Sequence, residues 1–466
     1  MRVAPESSVP VLQWGGGLGF DPHGQRRDVP DRNDRADALV MFGLTGDLGD
    51  KKLFPALHEL AAAGKLGVPV IGVGRSEHTD DDLRSMFRDA LGESYHPDVA
   101  DAIDLSYVSG DSTDAATYDD LASRLVDVRL PVVHAALPPG VFGDVARGIA
   151  ASGLPDTTRL VAEKPFGDDA RSARQLHDEI VDVLGPERLF IVDHFLAKSA
   201  VENMSTARTS NALIANSMCA QYVESIDVVM FETGGVDGRG SFYESVGAVR
   251  DVLQNHLLQL LAVLTMEAPA DGTDAAFHAA LVELLEAVRP FDRSTAIFGQ
   301  YDGYRELDDV ADDSMVETFV AATTSIDNAR WRDVPVTIRT GKELAQDVTS
   351  ATITLRPVDG VGGVTNRITF SVKPQSSVSI DLGVLEASSH EPTPRTVTLC
   401  EPDGHAGLSD YAVMLDDALA GGRRHFAEID GVVAAWRVVD PLLTNSTPPV
   451  SYAPGTSGPS SDADTT

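Results

Sequence analysis

Two cysteines, Cys219 and Cys400, are all that the 466 residues contain. So few exclude a disulfide framework, offer no metal-ligand spacing, and suit a reducing compartment; no metal is expected. Lysine is nearly as scarce, its seven positions being Lys51, Lys52, Lys65, Lys164, Lys198, Lys342 and Lys373. Lys and Arg number 37 against 71 Asp and Glu, a formal net charge of −34. That imbalance repels nucleic acid and anionic membrane surfaces, so neither is expected as a partner. Apolar runs of about 18 residues are also missing, which excludes a transmembrane helix. The opening MRVAPESSVPVLQWGGGLGF lacks a basic segment followed by a long apolar one. With the unpaired cysteines, this gives an expectation of a cytoplasmic protein.

What is present describes a globular chain with room for two or three cores: hydrophobic residues make up 43% and the mean hydropathy is −0.06. Residues 1–36 carry glycine, proline and mixed charge without periodicity and read as a mobile arm. From 37 to 193, short apolar runs (ALVMFG, VPVIGVG, PVVHAALPP, RLVAEKP, LFIVDHF) alternate with helical stretches. Such alternation predicts a doubly wound, Rossmann-like parallel sheet, an α/β domain that binds a dinucleotide. From 194 to 452, strand-like runs predominate, with helices expected at 244–267, 274–288 and 410–420. This second unit is expected to be α+β, a large, mostly antiparallel sheet flanked by helices. Residues 453–466 read as a low-complexity tail.

Five motifs carry the chemistry. FGLTGDLGDKKLFPAL runs a strand into Gly43, Gly46 and Gly49 and opens a helix beyond, as a backbone cradling a pyrophosphate would. The spacing is G-x-x-G-x-x-G, so a plain strand–turn–helix is the competing reading. After VIGVG stands Arg75, where an arginine accommodates the 2′-phosphate of NADP and an acid would bind the ribose of NAD. VAEKPFG places Lys164 just past a strand. IVDHFLAK ends a strand at Asp193 and sets His194 and Lys198 four apart, expected on one helix face, where imidazole and ammonium suit a phosphate. In RDVLQNHLLQLL, Val249, Leu253, His256, Leu260 and Leu264 share one stripe, so His256 points inward with the leucines; a satisfied core histidine is the bland alternative. RTGKELAQD places Lys342 after the strand VPVTIRT.

Taken together, GLTGDLGDKKL, HAALPP, EKPFG, IVDHFLAKS, GVDGRGSFY, RDVLQNHLLQ, IDNARWRDVP and IRTGK resemble, in order, the motifs of the glucose-6-phosphate dehydrogenase family. The resemblance spans about 37–459. It implies hydride transfer from C1 of glucose 6-phosphate to NADP, NAD being the alternative, giving 6-phosphogluconolactone. By matching, His256 would be the general base and Asp193 would hold its imidazole. His194 and Lys198 would take the 6-phosphate; Glu232, Asp251 and Lys342 the sugar. Lys164 would lie between cofactor and substrate, and Lys52 near the pocket mouth. Gly43, Thr45, Gly46, Asp47, Leu48 and Arg75 would hold the cofactor. Four of the seven lysines therefore fall at ligand positions, as a local positive island in an acidic chain requires. The resemblance also implies a homo-oligomer, dimer or tetramer, built through the large sheet.

Some positions depart from the family pattern. Ala197 and Ser199 replace a glycine and a glutamate beside Lys198, and Asp347 stands where a second cation near the phosphate is usual. These departures keep two other readings open: a dehydrogenase of another sugar phosphate or hexose, with NAD as the alternative cofactor, and a silent nucleotide-binding regulatory paralogue.

Overall fold

The structure, a computed structural model, describes residues 35–236, 238–358, 364–385, 391–400, 407–444 and 447–459. The short apolar runs of the first half become β1 (Ala38–Phe42), β2 (Val70–Gly74), β3 (Leu105–Ser109), β4 (Pro131–Ala135), β5 (Arg159–Ala162) and β6 (Leu189–Val192). All are parallel, in the order β6-β5-β4-β1-β2-β3. β1, β4 and β6 are buried along their whole length, as strands covered by helices on both faces must be. The order reverses between β1 and β4, and a crevice for a ligand opens there at the carboxyl ends. Gly43 makes the exit from β1: its φ is +75°, and a Cβ on it would stand 2.3 Å from the Ala136 carbonyl oxygen.

The second sheet contains β7 (Val223–Phe231), β8 (Ile297–Tyr301), β9 (Phe319–Ser325), β10 (Pro335–Gly341), β11 (Val348–Leu355), β12 (Arg367–Lys373), β13 (Ser377–Val384) and β14 (Thr393–Cys400). The chain then adds β15 (Phe426–Ala427), antiparallel to β6 in the first sheet, and closes the second with β16 (Val450–Tyr452) beside β8. The order is β14-β13-β12-β11-β7-β10-β9-β8-β16, antiparallel except for the β7–β10 and β8–β16 pairs. Buried Ile226 and Val228, Val336 and Ile338, and Ala351 and Ile353 recur at every second position and form one apolar face. The helix Val249–Thr265 packs on that face, in the same core as the helices over the first sheet.

That helix departs from the plain α-helix expected over 244–267. A helical segment begins at Gly240, kinks at Gly247 (φ +61°), and winds as a π-helix over Val249–Leu257 before continuing as α through Leu258–Thr265. A Cβ at Gly247 would lie 2.5 Å from the Glu317 carboxylate. The bare glycine therefore admits the acid, which accepts the Val249 N–H at 3.1 Å and caps the new helix start. The wider winding spreads the buried set to Val252, Leu253, Gln254, His256 and Leu257, broader than a single α-helical stripe.

Three segments meet neighbours that the sequence reading did not name. Residues 194–452 do not stay with the second sheet: helix Asp410–Ala420 lies on helix Phe54–Ala62, and helix Ile429–Val439 on Ala170–Leu184, both beside the first sheet. A two-residue strand shows little apolar periodicity, so the return was invisible locally. Within the expected tail, Gly455 N–H reaches Glu343 O at 2.8 Å and Ala345 N–H reaches Thr456 O at 2.9 Å, so 453–459 is tied to the second sheet. The remaining tail and the expected arm lie outside the described residues, apart from Arg35 and Ala36; Ala36 N–H donates to Leu419 O at 2.7 Å.

His425, just before β15, fastens the returning segment. Its Nδ1 stands 2.6 Å from Asp417 Oδ2 and its Nε2 3.2 Å from Glu202 Oε1. Against the cost of burial, these two carboxylates push the imidazole up to about 9. A folded value above the unfolded 6.5 gives stability that is complete below pH 6.5 and lost as pH rises through about 9. We expect His425→Gln to unfold at lower temperature than the parent at pH 6, by an amount equivalent to about 2–3 kcal/mol, and the gap to shrink above pH 9. A pH-independent gap in thermal unfolding would contradict the charged bridge.

Candidate active site

Asp193 leaves β6 at the carboxyl edge of the first sheet, and His256 reaches it from the π-wound helix of the second unit. Asp193 Oδ1 accepts the Phe195 N–H at 3.0 Å and faces His256 Nδ1, also at 3.0 Å. Both side chains are buried, 4% and 3% exposed, so this bond is shielded from water. A carboxylate there fixes the tautomer: Nδ1 carries the proton and Nε2 presents its lone pair. Phe195 lies parallel to the imidazole at 4.3 Å between centroids, and His194 meets it edge-on at 4.4 Å. The aromatic walls leave little rotational freedom to the ring.

His194 and Lys198 do not share a helix face as their spacing suggests. His194–Ala197 is a run of turns, and the helix begins at Ser199 with Lys198 as its N-cap. Leu196, Ala197 and Lys198 donate their N–H groups to the carbonyls three residues back, Asp193, His194 and Phe195, at 3.0, 3.2 and 3.2 Å. The segment therefore closes tight turns rather than an α-helix, and the Asp193 carboxylate caps it at Phe195 N–H. Both residues still face the crevice: His194 stacks on Tyr411 at 5.6 Å, and Lys198 Nζ bonds Asp410 Oδ2 at 2.8 Å.

The lysines converge with carboxylate partners. Lys164 follows β5 and donates to Asp251 O at 3.0 Å and Oδ1 at 3.2 Å. Lys342 follows β10 and pairs with Glu232, which follows β7. These strands are parallel neighbours, so their ends coincide, and Glu232 N–H donates to Gly341 O at 3.0 Å. Against the cost of burial, Lys164, Lys342 and His256 hold Asp251 down to about 2. Burial holds His256 well below 6.5, reinforced by Lys164, Lys198 and Lys342 and opposed by Asp251. Burial likewise lowers His194, helped by His256 and Lys164. The arrangement is a neutral, oriented imidazole in a ring of ammonium groups, able to take a proton and to bind an anion.

The glycine loop stands at the neighbouring β1–β4 crevice. Gly46 N–H bonds back to Gly43 O at 3.0 Å, and a Cβ at Gly49 would lie 1.7 Å from Leu44 O. Glycine is therefore required for the loop to double back before the helix. Thr45, Gly46, Asp47 and Leu48 line the outside of this turn, with Asp47 and Lys51 paired at 3.4 Å in solvent. The backbone cradle and helix start fit a pyrophosphate. Arg75 is exposed directly beyond β2, and among the described residues its guanidinium has no ion pair. Lys52 is exposed within electrostatic reach of Asp410. Asp347 forms an ion pair with Lys373 at 2.5 Å, so its charge is met within the protein.

Sequence reasoning missed four residues. Asp410 and Tyr411 come from the returning helix and read locally as an N-terminal turn after Ser409. Glu163, just before Lys164, is buried, its Oε1 3.1 Å from buried His134 Nε2 and its Oε2 accepting the Tyr411 hydroxyl at 3.4 Å. Glu317 acts as the cap described above. Only Glu163, a charge inside a strand-end apolar run, left a local signal.

A parallel dinucleotide-type sheet with an oriented, buried imidazole at its carboxyl edge defines the class: a nucleotide-dependent dehydrogenase fold. Two family models match, "Glucose-6-phosphate dehydrogenase, NAD binding domain" over 40–203 and "Glucose-6-phosphate dehydrogenase, C-terminal domain" over 205–466. The chain belongs to the glucose-6-phosphate dehydrogenase family. It is 35% identical to glucose-6-phosphate 1-dehydrogenase 1 of Mycobacterium tuberculosis, covering 91% of this chain and 93% of that one. With glucose-6-phosphate 1-dehydrogenase of Bacillus subtilis it shares 31% identity over 91% and 96%. A crystal structure of glucose-6-phosphate 1-dehydrogenase from Mycobacterium avium superposes with a TM-score of 0.85 at 35% identity, covering 91% and 95%. A glucose-6-phosphate dehydrogenase in complex with its substrate glucose-6-phosphate gives 0.83 at 28% identity, covering 92% and 96%.

The electrostatics make a direct prediction. In the protein without ligands, ring NMR of selectively labelled histidine should place the His256 midpoint below 6.5, and Lys164→Met should raise it. A midpoint at or above 7 in the parent would contradict the site as described.

Proposed function

We propose that the protein oxidises glucose 6-phosphate to 6-phosphogluconolactone with NADP, the first step of the oxidative pentose phosphate route. The observation that carries this reading is the buried His256–Asp193 pair, ringed by Lys164, Lys198 and Lys342 at the edge of a dinucleotide sheet. Family membership supports the substrate class, and Arg75 supports NADP over NAD.

His256 Nε2 takes the proton of the C1 hydroxyl, and Asp193 stabilises the resulting imidazolium through Nδ1–H. A positioned base of this kind contributes about 10²–10⁴-fold. Bound nicotinamide supplies the hydride acceptor. Gly43, Thr45, Gly46, Asp47 and Leu48 hold its pyrophosphate end and Arg75 its 2′-phosphate. His194 and Lys198 receive the 6-phosphate, with Lys52 at the mouth. Glu232, Asp251 and Lys342 orient the sugar hydroxyls, and Lys164 bridges sugar and cofactor. In a chain of net charge −34, two anionic ligands need this cationic lining.

The same reading makes the protein a cytoplasmic homo-oligomer. Among the described residues no helix is long and apolar enough to cross a membrane. β13 and β14 end the second sheet with Leu382, Val397 and Leu399 exposed, Leu399 at 67%. An unpaired apolar sheet end favours burial against a second copy.

Two measurements test this. NADPH formation from glucose 6-phosphate, at low and at molar salt, should saturate and fall by about 10²–10⁴-fold in His256→Ala while NADP still binds. Folded protein that turns over glucose 6-phosphate with neither nucleotide would refute the assignment. Introducing Val397→Asp together with Leu399→Asp should shift sedimentation to a smaller species; an unchanged oligomer would place the interface elsewhere.

A further inference from the structure

The phosphate end of the proposed pocket already contains an anion. Asp410 sits in the first turn of the returning helix, behind the Ser409 cap. Its Oδ1 accepts the Tyr411 N–H at 3.0 Å, and its Oδ2 takes Lys198 Nζ at 2.8 Å. The carboxylate side chain is 8% exposed and Lys198 27%, so the pair is far from a free surface bridge. His194, Lys52 and Tyr411 also lie within its electrostatic reach. These are the groups assigned above to the 6-phosphate. Asp410 therefore occupies the position from which a phosphate would bind Lys198.

Charge at this end is finely balanced. Lys198 contributes one positive charge and Asp410 one negative, while burial keeps His194 neutral. A phosphate dianion entering here must share Lys198 with a resident carboxylate, and like charges at such distances repel strongly when partly shielded from water. An uncharged hydroxyl meets no such conflict: it can donate to Asp410 and accept from Lys198. Here Asp410 differs from a simple positioning residue, whose loss would weaken phosphate binding by releasing Lys198.

Building on the proposed dehydrogenase reading, we propose that Asp410 is a specificity-determining residue, a built-in competitor for Lys198 that narrows the preference for a 6-phosphate over a free 6-hydroxyl. The test compares the full-length parent with Asp410→Asn and Asp410→Ser, using glucose 6-phosphate and glucose as substrates and inorganic phosphate as a binding probe. In the variants, KM for glucose 6-phosphate should fall roughly tenfold with kcat within about twofold. For glucose, kcat/KM should hold or drop, so the ratio between the two substrates rises. Inorganic phosphate, measured by calorimetry, should bind correspondingly tighter. A higher KM for glucose 6-phosphate, or an unchanged substrate ratio, would overturn the proposal and make Asp410 a positioning residue for Lys198. If the parent oxidises neither substrate, the dehydrogenase reading fails on its own. The calorimetric comparison still decides the role of Asp410, equal phosphate affinities refuting it. Asp410→Ser decides the question should the asparagine variant not fold.

Discussion

The bond on which the site depends is made by one carboxylate oxygen that reaches across the two halves of this protein. Asp193 Oδ1 accepts the Phe195 N–H from its own loop and faces His256 Nδ1 from the helix over the other sheet. An unpaired acid this deep would carry a large desolvation cost, so the loop must turn and the helix must approach. The turns over His194–Ala197 bring Phe195 against the imidazole, and the helix over the second sheet carries His256 to meet the carboxylate. Glu317 secures the other end, since Gly247 alone leaves space for its carboxylate to cap Val249.

A second constraint is the shortage of lysine. Each of Lys164, Lys198 and Lys342 is held by an acid in the structure, namely Asp251, Asp410 and Glu232. Such pairing keeps ammonium groups together in a partly buried crevice without mutual repulsion. The partners differ in origin: Glu232 and Lys342 are brought side by side by strand pairing, whereas Asp410 arrives from a segment more than two hundred residues beyond Lys198. Local strand geometry specifies the first pair; the return of the chain to the first sheet creates the second.

Much was legible beforehand. The alternating strands and helices of 37–193 announced the parallel sheet, because buried parallel strands need continuous apolar runs. His256 was visible as a polar residue on an apolar stripe. The spacing argument at His194 and Lys198 failed, since it assumed an α-helix where the backbone closes i→i−3 turns and the helix starts only at Ser199. What holds 453–459 was not legible: backbone hydrogen bonds to residues 343 and 345 order a segment with little side-chain pattern of its own.

By itself, the sequence determined the dinucleotide-type sheet, the second sheet, the family, and the residues from which a base and its partner would be drawn. Each of these rests on local periodicity or on a short contiguous motif. Only the tertiary structure decided what surrounds them: β15 beside β6, Tyr411 stacked on His194 and bonded to Glu163, Asp410 on Lys198, and Asp347 neutralised by Lys373. The physical reason is that charge compensation and desolvation depend on distance in space. Residues remote along the chain leave no periodic trace of whom they will meet.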